Sequence, residues 1–339
     1  MKINLKDMSL FFIFIVLTLT LSLNGAYAKT ITIPVGTGPG PVAFDSHMNE
    51  IFVGNFNDFA GNTVSVISDA TDKVIGTITV GYGPFQLAFD SHMNEIFVAN
   101  VGSSFNGNTV SVISDATNTV TATITLPADS CPNGVAFDSH LNEIFVATGC
   151  TNTVAVISDA TNKVIKTISV PRAGYGEPSP APISFDSHNN EVYVSDTGYY
   201  NNGYAVTVIS DSTNKIIKTI TVGFCPFGNA FDPHNDEVYF ANFESASVSA
   251  ISDSTNTVIK TIPVQGEPNW VAFDSHNNQL YAVNFASNTV SVINDATNRV
   301  TATLTGLGLN GPWGIAFDPN TNRLFISNFY SNDVVVIPG

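Results

Sequence analysis

The chain has 339 residues, of which 44% are hydrophobic and only 12% charged, with a net charge of −16. So acidic a chain offers no basic stripe for nucleic acid and is repelled by an anionic membrane surface. Its polar quota is met by Ser, Thr, Asn and Gly rather than by helix-forming Glu, Lys and Arg, which predicts strands and turns with almost no helix.

Residues 1–28 read as a secretory signal peptide. Lys2 and Lys6 make a basic start, Met8 to Leu23 an apolar run, and Ala26-Tyr27-Ala28 a small-residue cleavage site. Cleavage before Lys29 would leave residues 29–339 as a single domain, secreted or held at the cell envelope with no membrane insertion. Acidity of this kind keeps such a domain soluble and monomeric. The first predicted strand is Thr30-Ile31-Thr32-Ile33-Pro34-Val35, and no neighbouring segment offers it a hairpin partner.

From there the chain repeats. The phrase Phe-Asp-Ser-His-x-Asn-Glu and its variants begin at Phe44, Phe89, Phe137, Phe185, Phe231, Phe273 and Phe317. Between successive copies lies a second phrase, as in Asn108-Thr109-Val110-Ser111-Val112-Ile113. Each unit reads as four short strands. Strand A is like Gly134 to Phe137, strand B like Glu143 to Val146, strand C like Thr109 to Ile113 and strand D like Val120 to Thr125. A four-strand meander recurring every 40–50 residues is the signature of a β-propeller, and seven copies predict an all-β, seven-bladed one. The seventh copy lacks strand D. The orphan strand at Thr30 to Val35 is of that type, so it is expected to close the ring as the outer strand of the last blade.

The phrases Asn288-Thr289-Val290-Ser291-Val292-Ile293, Gly311-Pro312-Trp313-Gly314-Ile315-Ala316 and Tyr281-Ala282-Val283-Asn284 resemble the YVTN β-propeller repeats of archaeal and bacterial surface and secreted proteins. The resemblance spans essentially residues 30–339. The Asp-Ser-His turn departs from the family's commoner Pro-Asp-Gly type. The resemblance implies an extracellular or envelope location and no particular reaction.

A meander sends alternate connections to opposite ends of a blade. The A–B and C–D turns share one face, the turn face. The D–A and B–C connections share the other, the loop face. On the turn face, Asp-Ser-His-x-Asn and Asp-Ala-Thr-Asn are accounted for by turn chemistry, with Asn in the left-handed conformation. All six histidines lie there: His47, His92, His140, His188, His234 and His276. One histidine per blade, with sheets about 10 Å apart, predicts solvated turn residues and no shared metal ion. Protonation of all six around pH 6–6.5, beside Glu50, Glu95, Glu143, Glu191 and Glu237, is the one response expected of this face.

The loop face is irregular and aromatic. Phe85, Phe227, Trp270 and Trp313 occupy matching repeat positions, as plugs between blades would. Tyr175, Tyr199, Tyr200 and Tyr204, in the elaborate loops of the fourth unit, do not recur. With Phe105, Tyr330, Trp270 and Trp313 they are the candidate ligand contacts. The polar residues that end strand B (Asn55, Asn100, Thr148, Asp196, Asn242, Asn284 and Asn328) are expected to cap the backbone of the following loop. Cys131 and Cys150 flank one A–B hairpin. With Asp138 opposite Glu143, both cysteines fall at facing positions, predicting a disulfide in an exported protein. Cys225 is left over and lacks the cationic neighbours that would activate it.

These residues predict a non-catalytic binding or scaffold propeller that grips a surface glycan, peptide or envelope protein through the loop face. The alternative is a hydrolase or lyase resembling the lactonases or streptogramin lyases, working at the mouth of the ring. Its acids would have to come from Asp58, Asp129, Glu177, Asp196, Glu244 and Glu267, with no histidine beside them. No metal or cofactor is expected, although the alternative leaves room for a metal-assisted site with carboxylate-bound calcium, for which no D-x-D-x-D-G loop exists.

Overall fold

The computed structural model describes residues 30–171, 182–197 and 203–339. They form seven four-stranded antiparallel sheets arranged as the blades of a propeller. Six sheets are consecutive meanders. Blade 1 runs A (Pro39–Asp45), B (Glu50–Asn55), C (Thr63–Ser68) and D (Lys73–Thr79). The seventh joins Pro312–Asp318, Arg323–Asn328 and Asp333–Pro338 to the N-terminal strand Ile31–Pro34. Ile31 faces Val336, Thr32 faces Val335 and Ile33 faces Val334, so the first strand is the outer strand of blade 7. The one helical element among the described residues is a single 3₁₀ turn, Phe243–Ser245.

Strands B and C are hydrophobic on both faces, because each blade lies between two others. In blade 1, Ile51, Phe52, Val53, Val64, Val66 and Ile67 are all fully buried. Successive residues point to opposite sheet faces, so each B–C pair feeds two cores. Phe52 packs with Leu87 and Ile96 of blade 2, whereas Ile51 and Val53 pack with Phe325 and Val334 of blade 7. Strand D has one neighbour and alternates, with Ile78 buried between exposed Thr77 and Thr79. Its free edge would invite pairing with another chain. In six blades strand D carries a bulge opposite strand C, as between Val66 and Ile67 in blade 1, which bends that edge out of register.

The turns adopt the expected left-handed residues. Asn49, Asn94, Asn142, Asn190, Asn278 and Asn322 all have φ between 52° and 59°. Four of the strand-end Asn residues bond strand C of their own blade, whereas Asn328 bonds loop backbone at Gly308 and Asn310. Asn55 Nδ2 donates to Thr63 Oγ1 at 2.9 Å and Ser65 Oγ at 3.0 Å on strand C, and Asn100, Asn242 and Asn284 repeat the contact. Strand C offers these hydroxyls within a buried zone, which draws the amide inward.

Closure makes a testable demand. Removing residues 29–35 strips the buried Ile33 from the core shared by blades 7 and 1 and leaves the outer edge of the third strand of blade 7 without a partner. We expect the melting temperature to fall by at least about 5 °C. An unchanged melt would show that the ring does not depend on this strand.

Candidate functional site

The two faces differ in how they close the ring. On the loop face, aromatic side chains from opposite blades meet on the axis. Phe85 of blade 2, Phe227 of blade 5 and Trp313 of blade 7 are mutual neighbours, with ring centroids 5.7, 6.1 and 6.5 Å apart. Phe56 packs on both Phe85 and Trp313, and Trp270 on Phe227. The axial channel is therefore filled at this end by an aromatic plug. The recurrence of these positions in sequence anticipated plugs, although they fill the axis rather than the gaps between blades.

The other candidates sit around that plug. Phe105 packs on Phe59 with centroids 4.4 Å apart. Tyr330 rests on Phe285 and Phe329 with 61% of its surface exposed. Tyr204 is 40% exposed and meets Phe224 edge-on. Tyr82 is 55% and Phe224 41% exposed. Trp270 is buried and Trp313 half-buried. Tyr175, Tyr199 and Tyr200, like Glu177, lie outside the described residues. A small depression of about 50 Å³ lies between Phe227, Phe243, Phe285, Trp313, Cys225 and Asn269. Every exposed aromatic among the described residues is on the loop face.

The turn face corrects the expectation of solvated histidines. Each of five histidines reaches forward to the next blade and bonds a buried aspartate of its C–D turn. His47 Nδ1 is 2.7 Å from Asp115, and His92, His140, His188 and His234 meet Asp159, Asp211, Asp253 and Asp295 at 2.6–2.7 Å. About half of each imidazole stays exposed while its partner is almost wholly covered. A spacing taken from the sheets leaves out the turns, whose side chains reach across to the next blade. A second layer ties Glu50 to Asn118, Glu191 to Asn256 and Glu237 to Asn298. The hook is replaced where its parts are missing. Between blades 7 and 1 Asn320 stands in for the histidine, and Arg323 bonds Asp72 at 2.7 Å and the carbonyl of Asp69.

At the end of each strand A an aspartate is completely buried. One oxygen accepts the backbone N–H of the residue two further on, as His47 donates to Asp45. In Asp45, Asp90, Asp138, Asp186 and Asp232, the five blades with a histidine hook, the second oxygen has no partner. Burial raises the pKa of all five, to about 6 for Asp186 and Asp232. The hydrogen bond to the neighbouring aspartate raises His92, His140, His188 and His234.

Among the described residues, groups of three that could share an ion are His188–Asp236–Asp253 and Asp232–His234–Asp295, with candidate ligand atoms within 4.8 Å. Neighbouring blades thus do bring such groups together, contrary to the expectation from sheet spacing. Both groups lie on the turn face, and neither contains Asp58, Asp129, Asp196, Glu244 or Glu267.

The disulfide forms as expected, Cys131 to Cys150 with Cα atoms 5.4 Å apart. The hairpin register slips by one between Pro132 and Gly134, and Cys131 has the positive φ that Gly83, Cys225 and Glu267 show at the matching position of other blades. Cys225 is buried, and burial pushes its thiol up to about 12, which keeps it protonated.

No family model matches the chain, and no curated protein does. Solved structures show the fold. Hydrazine synthase from Kuenenia stuttgartiensis aligns with a TM-score of 0.75 at 17% identity, over 94% of this chain and 99% of that one. A streptogramin B lyase gives 0.73 at 13% identity, over 91% and 96%. A catalytically inactive virginiamycin B lyase from Staphylococcus aureus, with quinupristin, gives 0.74 at 16% identity, over 92% and 99%. At these identities the likeness is one of architecture, a seven-bladed propeller shared by proteins of different function. No helix among the described residues is long and apolar enough to cross a membrane.

Two predictions follow from the hooks and the cysteines. Imidazoles and aspartates with raised pKa bind protons more tightly folded than unfolded, so their contribution falls with rising pH. We expect the melting temperature to drop between pH 5 and 8, as the aspartates ionise near pH 6 and the histidines lose their protons above their ordinary 6.5. Gln at His92, His140, His188 and His234 should flatten the upper part of that curve, and a native curve already flat would remove the effect. Thiol counting should find no reactive cysteine in the native protein. Denaturation alone should expose one, and denaturation with reductant three. Cys131→Ser should cost roughly 3 kcal/mol.

Proposed function

We propose that this protein is a non-catalytic binding or scaffold propeller of the cell exterior or envelope, which recognises a surface glycan, peptide or protein through the loop face. The observation that carries the reading is the segregation of exposed aromatics: Tyr82, Tyr204, Phe224 and Tyr330 stand out from that face and from no other. Exposed tyrosines supply rigid, amphipathic contact area at low entropic cost. Behind them the aromatic plug gives a stiff base, since its rings are locked against one another across the axis. Function tends to reside in loops held by such a scaffold. The resemblance of the repeat phrases to YVTN propellers, the signal-like residues 1–28 and the disulfide support export.

The lyase alternative would draw its acid and base from Asp58, Asp129, Asp196, Glu244 and Glu267 on this face. The likeness to two lyases brings this chain their architecture and none of their chemistry.

The test is retention on glycan arrays and on isolated envelope fractions. A Tyr82/Tyr204/Phe224/Tyr330→Ala variant should melt within a few degrees of the native protein and lose retention about tenfold or more. Retention unchanged in the folded variant would move the function off this face. Turnover of a lactone or cyclic depsipeptide by the native protein would favour the alternative.

A further inference from the structure

The plug on the loop face leaves the axial channel open at its other end. There it forms a cavity of about 470 Å³, lined by residues of strand A and of the turns that follow it. Five blades each contribute a phenylalanine to its wall: Phe44, Phe89, Phe137, Phe185 and Phe231. Each ring is half-buried against the core between two blades and half-open to the cavity. Deeper in, Trp270 and Gln86 line the cavity, and Gln86 is tied by hydrogen bonds to Val135 and Ile183. The small residues between the phenylalanines, Ala43, Ala88, Ala136 and Ala230, keep the volume clear, and the hydroxyl of Ser184 is buried in the wall without a partner.

The charge around this cavity is one-sided. Twenty of the twenty-eight acidic residues lie at the A–B and C–D turns that form this face. The described lysines and Arg299 are on the outermost strands, at the circumference. Arg323 is the one described Lys or Arg inside that circle, and Asp72 holds it. Each lining phenylalanine is followed by one of the fully buried aspartates whose second oxygen accepts no hydrogen bond. A recessed apolar wall beneath a rim so rich in carboxylates focuses negative potential on the mouth. Aromatic rings add their own preference for cations, above all those too weakly hydrated to resist leaving water.

We propose that the axial cavity on the turn face is a binding site for a small organic cation with an apolar body, of the aryl- or alkyl-trimethylammonium class. The apolar body fills the space between the phenylalanines, and the cationic head lies among the rings beneath the acidic rim. An anion is repelled there, and a neutral molecule of the same shape gains the apolar contact alone. This site is separate from the loop face and does not depend on the reading given for it.

The probe is benzyltrimethylammonium, titrated into the mature protein and followed by ligand-observed NMR, with neopentylbenzene as its uncharged isostere. One saturable site per chain is expected, with the isostere about tenfold weaker and the cation weakened by added salt. Ser184→Phe, which fills the cavity, should abolish binding, while the loop-face alanine variant should leave it intact. Equal affinity for cation and isostere would overturn the ligand class on native protein alone. No saturable binding, or binding that survives in a folded Ser184→Phe protein, would overturn the site. Loss of glycan or envelope retention without loss of this binding would separate the two faces.

Discussion

Everything in this molecule rests on the fact that the middle strands of every blade are hydrophobic on both sides. A sheet such as Glu50–Asn55 with Thr63–Ser68 cannot present one face to water, as a sandwich sheet can, and so needs a neighbour on each side. Seven such sheets satisfy one another only as a ring, and the ring has no end at which an apolar face may be left. Closure follows from this need. The N-terminal strand completes blade 7, and Arg323 with Asn320 bridges to blade 1, where the repeat's own hook has been lost.

Much of this was legible in the sequence because it is local or periodic. The repeat spacing located the strands, the missing strand of the last copy pointed to Ile31–Pro34, and the hairpin register paired Cys131 with Cys150. Recurrence also marked Phe85, Phe227, Trp270 and Trp313 as plugs. The His–Asp hooks escaped because the partners are some 60–70 residues apart and on different blades. Nothing in an Asp-Ser-His turn reveals that it leans toward the following blade. The axial cavity escaped for another reason. Its wall is made of alanines and phenylalanines that read as ordinary blade packing, and an unfilled volume has no residue to announce it.

The buried aspartates show how one residue serves two ends. Their first oxygen organises the A–B turn, which explains an Asp at that position in every blade. Their second oxygen is spoken for only in the blades without a histidine hook, by Asn277 at Asp274 and by Thr321 at Asp318. Elsewhere it is buried without a hydrogen-bond partner, and burial raises the pKa of the group.

Blade 7 also sets an order of events during biosynthesis. Its outer strand is made first, while the strand it pairs with emerges roughly 300 residues later. Until then the earliest segment has no partner, and the chain behind it can form meanders but not the finished circle. Contacts of such long separation are slow to form. The closing of the ring is therefore the last step of folding, because it waits for the final strand of the final blade.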